Sequence, residues 1–456
     1  MPAGRAKSSS ASSSPPSSPI ARILANTAWL LGGKGFGALC SIVYLAILTR
    51  TLGLKGFGHF SLIFGTAQAL IAIAGFQTWR VVVRYGASHV HEKDWAAFGR
   101  LGMFAGVLDA VGAFCGCLIA AVVFFGFAHL LDLNQDYIVP GFLFCCAQLW
   151  ALVSAPTGMV RAMNKFQMAV YVEAVVPVGR LVGAVAVWLL APSVGWFLFV
   201  WAVVDLLEAV LYWAMAKRLC PEAVQMAHLK GYRRALDENP GLWRFFLVTF
   251  AGSTLDALTK NGPLLIVGGI VGTRAAGLYR LASQLSQALS KFSTMLTRAV
   301  YAEVSRMRVA SSLQEFRKLA VQTSLIAGAG GLVVVGIALV AGRGLLGLIG
   351  GTAFEGGAAI LVPLALAASF DLASVAFEPV LHSTGKAQLS LTARLIGLAV
   401  LGIAMALLIH TGPSGAAWAV ALGSAALYVV MGLMAFVTLQ RMKGDEPLQP
   451  AEQSSL

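Results

Sequence analysis

Apolar runs of roughly 20 residues recur from Ile23 almost to the end of the chain, and no other feature restricts the fold as strongly. A run of that length crosses the hydrocarbon core of a bilayer as an α-helix. Lipid offers no partners to backbone N–H and C=O groups, so only helices and closed barrels can span it. The alternating strands of a barrel are absent from the sequence. Of 456 residues, 58% are hydrophobic and only 12% charged, which excludes an ordinary soluble enzyme. The 49 glycines follow no triplet period, which excludes a collagen-like chain. The expected fold class is an all-α polytopic membrane protein with about twelve transmembrane helices in two six-helix, parallel-repeat lobes.

The spans are placed near 23–48, 57–79, 101–128, 138–160, 170–191, 195–216, 243–272, 275–300, 320–341, 357–381, 389–410 and 414–438. Residues 1–19 are rich in Ser and Pro and have no apolar core, so they read as a disordered tail and not as a signal peptide. The domain plan is that tail, an N-terminal lobe at 20–216, a basic linker at 217–242, a C-terminal lobe at 243–438 and a second tail at 439–456.

Lys and Arg set the expected orientation. Arg80, Arg84, Lys93 and Arg100, Arg161 and Lys165, the cluster from Lys217 to Arg244, and Arg306 to Lys318 all fall on one side with the two termini. The opposite side carries only Arg50, Lys55, Lys260, Arg274 and Arg343. This bias puts both termini in the cytoplasm and requires an even number of spans. The formal net charge of +13 therefore reports topology and gives no reason to expect nucleic acid.

An internal match supports two halves. LGLKGFGHFSLIFGTAQAL (52–70) aligns with VGTRAAGLYRLASQLSQAL (271–289). Gly53 then meets Gly272, Lys55 meets Arg274, Gly58 meets Gly277, Phe60 meets Tyr279, and Gln68-Ala69-Leu70 meets Gln287-Ala288-Leu289. Each copy is a short outer turn and the helix after it.

Lys34, Arg180, Arg280, Lys291 and Arg298 remain inside predicted spans, where a cation costs about 2.5–3.5 kcal/mol and needs a partner or a watery cavity. On the eighth span Arg280, Gln284, Gln287, Lys291, Thr294 and Arg298 fall within an arc of roughly 80°. Such a stripe reads as the wall of an aqueous cavity; the alternative is pairing with acids on neighbouring helices. Ser61, Gly65, Gln68, Ala72, Gly75 and Trp79 would form a small, uncharged facing wall on the second span, and Lys34, Gly37, Ser41 and Tyr44 share one face of the first. Glu173 stands two turns from Arg180 and is a possible neutralising partner. On the seventh span Asp256 and Lys260 lie one turn apart, and Pro263 is expected to break the helix, which marks either a gate or a bent, charge-neutral segment. Asp109, Asp205, Glu208, Asp371 and Glu378 are the other acids able to hold a coupling proton or Na⁺.

No catalytic motif is present. GGKGFG at 32–37 lacks phosphate-loop spacing, and the seven histidines, His89 and His91 among them, form no metal-ligand pattern. Cys40, Cys115, Cys117, Cys145, Cys146 and Cys220 have no paired C-x-x-C spacing and read as small apolar residues. Neither a metal nor a cofactor is expected, and the chain does not read as an enzyme.

The stretch LTRTLGLKGFGHFSLIFGTAQALIAIAGFQTWRVVVRYGA (48–87), with its Arg-Thr-Leu-Gly turn running to Gly58, resembles the Wzx-type polysaccharide flippases of the multidrug/oligosaccharidyl-lipid/polysaccharide exporter superfamily. A second similar segment runs from Asp256 to the GLYRLA that ends at Ala282. Pro263 departs from that pattern, in which the helix is unbroken. The resemblance implies a bacterial inner-membrane flippase that moves undecaprenyl-pyrophosphate-linked oligosaccharide by alternating access, for O-antigen, capsule or exopolysaccharide assembly. It also implies membrane lipid, a polysaccharide polymerase and a chain-length regulator as partners. Lys34, Arg180, Arg280, Lys291 and Arg298 would hold the diphosphate, Gln284 and Gln287 the sugar, and Asp256, Lys260 and Pro263 would serve coupling or gating. The rival reading is an ion-coupled multidrug antiporter of the same superfamily, although a drug cation would favour an acidic cavity. A major-facilitator transporter fits less well, because its basic loop motif is missing between the second and third spans.

Overall fold

The computed structural model describes the backbone of residues 19–306, 313–374, 377, 381 and 387–441, with side chains from 35 onward except 128, 131, 166, 167, 292–306, 313–321, 323, 387, 439 and 441. Lys34, Thr294, Arg298 and Glu378 thus lie outside the described side chains, as do both terminal tails.

Fourteen α-helices and no strand occur among the described residues. They are α1 (Pro19–Ala74), α2 (Trp79–Glu92), α3 (Trp95–Ala121), α4 (Ile138–Trp150), α5 (Ser154–Ala162), α6 (Phe166–Leu190) and α7 (Val194–Leu219). There follow α8 (Arg234–Glu238), α9 (Leu242–Val271), α10 (Thr273–Arg306), α11 (Leu313–Gly350), α12 (Ala358–Ser374), α13 (Ala387–Leu408) and α14 (Pro413–Arg441). Nine helical segments among the described residues are long and apolar enough to cross a membrane, one of them the double-length stretch Gly35–Ala74. The all-α polytopic class is therefore as expected. The molecule is a multi-pass membrane protein.

The first two predicted spans are the two limbs of α1, which folds back at Gly53 (φ 64°, ψ −176°). Its repeat partner Gly272 separates α9 from α10 with nearly the same backbone (φ 106°, ψ 170°). Gly351 (φ 87°, ψ 175°) and Gly412 (φ 93°, ψ −164°) make two further turns at this end. That region of backbone space is essentially open to glycine alone, so the chain reverses direction four times with one device. These turns lie at what the charge bias makes the outer end.

Three boundaries differ from expectation. The stretch between the second and third spans contains the amphipathic helix α2, whose Val81, Val82 and Gly86 are buried, and Asp94 then caps α3 by accepting from the Ala97 amide at 2.9 Å. The fourth span divides into α4 and α5. Pro156 lacks the N–H that would continue α4 and sits in the first turn of α5, where that donor is not needed. Here the Ala155 amide donates to Asp109 at 2.9 Å and the Trp79 amide to Ser154 at 2.9 Å. Finally, α9 runs unbroken from Leu242 to Val271 through the buried Pro263. The expected break is absent because a proline removes only one ladder bond, and neighbouring packing compensates inside a membrane bundle.

The largest core cluster joins both halves, with Phe57, Leu62, Ile63, Phe197 and Trp201 on one side and Leu264, Val267, Tyr279, Leu281 and Leu361 on the other. At the outer end the halves touch backbone to backbone. A Cβ added to Gly58 would sit 2.1 Å from the Thr273 carbonyl oxygen, and one added to Gly277 would sit 3.3 Å from the Gly58 nitrogen. Thr273 donates through its amide (3.0 Å) and hydroxyl (2.7 Å) to the Asp132 carboxylate. Thr49 and the Arg50 guanidinium donate to the Ile349 carbonyl at 3.2 and 3.3 Å, at the end of α11.

Candidate functional site

Arg180 of α6 and Arg280 of α10 approach one aromatic ring from opposite halves. The Arg180 guanidinium lies 5.7 Å from the Phe64 ring centre and the Arg280 guanidinium 5.2 Å from the same centre. Trp201 adds a second face for Arg180 at 5.6 Å, and Tyr44 packs edge-on against Trp201 at 5.4 Å. Aromatic faces attract cations most strongly where water is excluded, so this cluster holds two guanidiniums inside the bundle.

The two arginines differ in charge balance. One terminal nitrogen of Arg180 lies 2.8 Å from both carboxylate oxygens of Asp205 on α7, and the Gln148 amide of α4 donates to the same carboxylate. Arg180 Nε is buried and has no hydrogen-bond partner. Arg280 has no acid within ion-pair distance among the described residues. One turn along α10, the Gln284 side-chain oxygen is likewise buried without a partner. The next turn brings Gln287, exposed and donating to Ser283 at 3.2 Å, and then the exposed Lys291. The predicted stripe thus runs from a half-buried cation to an exposed one along α10, while Leu281 and Leu285 on the other face are buried. Thr294 and Arg298, which complete the stripe in sequence, fall outside the described side chains.

Several expected pairings are replaced. Glu173 does not neutralise Arg180; it accepts from Arg161 and from the Tyr212 hydroxyl, each at 3.2 Å. Asp256 pairs with Arg394 of α13 and not with Lys260, which is exposed one turn away on α9. Asp109 is engaged by the Thr78 hydroxyl at 3.0 Å as well as by Ala155. Asp205 is held by Arg180, leaving Glu208 half-buried and Asp371 exposed among the acids considered for coupling. The face of the second span expected to form a small, uncharged wall is instead packed: Gly65 abuts Leu264, and the Ala72 carbonyl accepts from Thr254 at 2.8 Å. On the first span Gly37 contacts Pro177 and Ser41 donates to the Gly37 carbonyl, so that face is occupied by α6.

Phe64, Trp201, Asp205, Gln148 and Arg394 were not singled out for the site by their spacing. An aromatic residue in a membrane span carries no sequence mark of the cation it covers. Asp205 was visible as an intramembrane acid, but its partner stands on another helix. Outside the spans, the bonds from Thr273 hold the Asp132 carboxyl below the usual carboxylate range, with a smaller push from His59 and Lys55 nearby. No group of three or more His, Cys, Asp or Glu side chains suited to a metal occurs among the described residues.

The chain is similar along most of its length to known membrane proteins. Residues 23–308 match the family described as polysaccharide biosynthesis protein. The chain is 25% identical over 334 residues to the inner membrane protein YghQ of Escherichia coli strain K12, a match covering 73% of this chain and 93% of that one. Among solved structures, the lipid II flippase MurJ in an inward closed conformation superposes with a TM-score of 0.69 at 10% identity, covering 90% of this chain and 88% of that one. An inward-facing multidrug resistance MATE family transporter of the MOP superfamily gives a TM-score of 0.61 at 13% identity, covering 89% of this chain and 94% of that one. These two are membrane transport folds and not enzyme folds. With the matched region covering well over half of its residues, this chain belongs to the polysaccharide biosynthesis protein family and has the fold of MOP superfamily transporters.

Proposed function

We propose that the protein is a flippase for a lipid-linked saccharide carrying a phosphate or diphosphate, such as an undecaprenyl-pyrophosphate oligosaccharide, working by alternating access in the cytoplasmic membrane with both termini inside. The observation that carries this reading is Arg280. It is half-buried at the meeting of the two halves and no carboxylate lies within ion-pair distance of it among the described residues. The exposed amide and ammonium of Gln287 and Lys291 follow on the same helix face. A cation left in the membrane without an acid is expensive, and an anionic ligand would offset that cost. Guanidinium suits phosphate oxygens because it donates two parallel hydrogen bonds. Lys34 and Arg298 are assigned by sequence to the same anion path, while Arg180, already paired with Asp205, supports the site electrostatically. Membership in a polysaccharide biosynthesis family supports the saccharide, and a fold shared with a protein named as a lipid II flippase supports the lipid.

The test is transport of a pyrophosphate-linked lipid oligosaccharide by purified protein in liposomes. Wild type should flip the lipid, and Lys291→Ala and Arg280→Gln should each lose at least about tenfold of the rate while retaining normal size-exclusion behaviour. Unchanged flipping in both variants would remove the cationic face from the mechanism. Absence of flipping by folded wild type, under imposed proton and Na⁺ gradients, together with export of a cationic dye, would favour the antiporter reading; the exposed Asp371 is the residue to replace in that case.

A further inference from the structure

Residues 217–242 read in sequence as a basic linker in the cytoplasm, but the part between α7 and α9, residues 220–241, is not carried away from the bundle. It folds back along the inner end of α3. A Cβ at Gly99 would lie 2.5 Å from the Ala223 carbonyl oxygen and 2.6 Å from the His228 ring. Arg100 holds Glu238 at 2.6 Å, and the Tyr232 ring stacks on Phe104 at 6.4 Å between centres. Phe104 lies roughly 13 Å along the helix axis from the start of α3, inside the apolar run that crosses the membrane. At its other end, Asn239 bonds His89 of α2 at 3.0 Å. The sequence places the start of this span near residue 101, so the segment is clamped beside the end of a spanning helix.

The exposed residues of the segment have an unusual composition for a loop in water. Met226 is 81% exposed, Leu229 42% and Leu236 39%, and Trp243, at the start of α9, is 48% exposed. Between them stand Lys230, Arg233 and Arg234, all exposed. The only exposed acids of the segment are Glu222 and Asp237, since Glu238 is engaged by Arg100. Apolar side chains interleaved with long basic ones, next to a tryptophan, suit a surface that inserts its apolar part below the headgroups and places its cations among them.

We propose that residues 224–236 form an interfacial segment that binds anionic phospholipid headgroups of the leaflet at the inner end, anchoring the joint between the halves to the membrane surface. Exposed apolar side chains among the cations, beside the end of a spanning helix, favour lipid over a soluble acidic partner, which would engage the cations alone. The proposal does not depend on what the protein transports.

The test compares phosphatidylglycerol with phosphatidylcholine. Purified protein is mixed with equal amounts of the two lipids in delipidating detergent, and the lipids retained are counted by native mass spectrometry. Three basic residues near an anionic surface should give a preference for phosphatidylglycerol of about tenfold or more. The variant Lys230→Gln/Arg233→Gln/Arg234→Gln should lose that preference. The variant Arg80→Gln/Arg84→Gln/Lys93→Gln, which removes the same charge from α2 and its C-terminal cap, should keep it. A measurement on wild type alone stands beside these: hydrogen exchange of 224–236 should be slower in nanodiscs containing phosphatidylglycerol than in phosphatidylcholine nanodiscs. Equal retention of the two lipids by wild type, equal losses in the two variants, or exchange indifferent to the lipid would each overturn the proposal.

Discussion

Gly58 and Gly277, equivalent positions in the two copies of the internal repeat, touch each other: a Cβ built on Gly277 would lie 3.3 Å from the Gly58 nitrogen and 3.4 Å from its Cα. Residues related by a two-fold operation meet only where the axis passes between them, so a two-fold relation between the halves would put its axis at this contact. Gly58→Ala should force the outer ends apart, because the new methyl meets the Thr273 carbonyl and not a side chain that can swing away. The expected cost is about 1–3 kcal/mol of overpacking strain, with increased labelling of a thiol introduced at Asp132 from the outer side of proteoliposomes. Unchanged labelling would mean that the two helices separate without consequence.

Arg180 and Asp205 form a pair with little access to solvent, 14% and 9% for the two side chains. Removing one partner leaves an uncompensated charge, so Arg180→Leu should destabilise the protein by about 3–5 kcal/mol. Replacing both, Arg180→Leu with Asp205→Leu, should restore most of that loss, because two well-packed apolar residues need no partner. Thermal unfolding in detergent of the single and double variants reads this directly. Equal destabilisation in both would show that the pair is not the reason for the loss.

Asp132 links the outer turn of one half to Thr273 of the other, and its carboxyl is held below its usual range by the Thr273 bonds. A depressed carboxylate stabilises the folded state above the unfolded-state value, near 3.8, and that contribution disappears as pH falls through the folded value. Asp132→Asn should therefore cost up to about 1 kcal/mol at neutral pH, a modest figure because the group is exposed, and nothing once the pH is well below the folded value. The melting temperatures of the two proteins should converge as the pH is lowered. A constant gap would assign the effect to something other than charge.

Gly344 and Gly351 are seven positions apart, and a Cβ would meet open space at both. Only their backbones differ, so the same substitution should act with opposite signs. Gly344 lies inside α11, where alanine should stabilise by up to about 1 kcal/mol. Gly351 has φ 87° and ψ 175°, where alanine should cost about 1–3 kcal/mol. Unfolding of the two variants under one condition compares them, and matching signs would refute the argument from backbone conformation.

What could be read in the sequence depended on the range of each signal. Helices of 20 residues or more leave a continuous apolar record, so α9 was placed to within one residue at either end. The internal repeat was legible at Gly53 and Gly272 because both positions need a backbone that only glycine adopts readily. The helix α2 was missed because its exposed face carries Arg80, Arg84 and His91, which hide the short buried stripe of Val81, Val82 and Gly86. At the site, the cations of α10 could be listed from sequence with their angular order. Their partners could not, because pairing is a property of neighbouring helices: Glu173 stands two turns from Arg180, yet Arg180 pairs with Asp205 on α7. Pro263 misled for a related reason, since the sequence displays the missing donor but not the packing that tolerates its loss.

The glycine contact at one extremity of the bundle also fixes a mechanical ratio. From Gly277 the helix α10 continues to Arg306, roughly 43 Å of helix beyond the point where the halves touch. If the outer end serves as the fulcrum, a rotation of about 15° displaces the far tips by about 10 Å while atoms beside Gly58 and Gly277 move by less than the width of a methyl group. Such a lever converts a change too small to disturb backbone packing at the axis into an opening wide enough for a sugar ring, and it makes side-chain size at positions 58 and 277 the quantity that sets its stiffness.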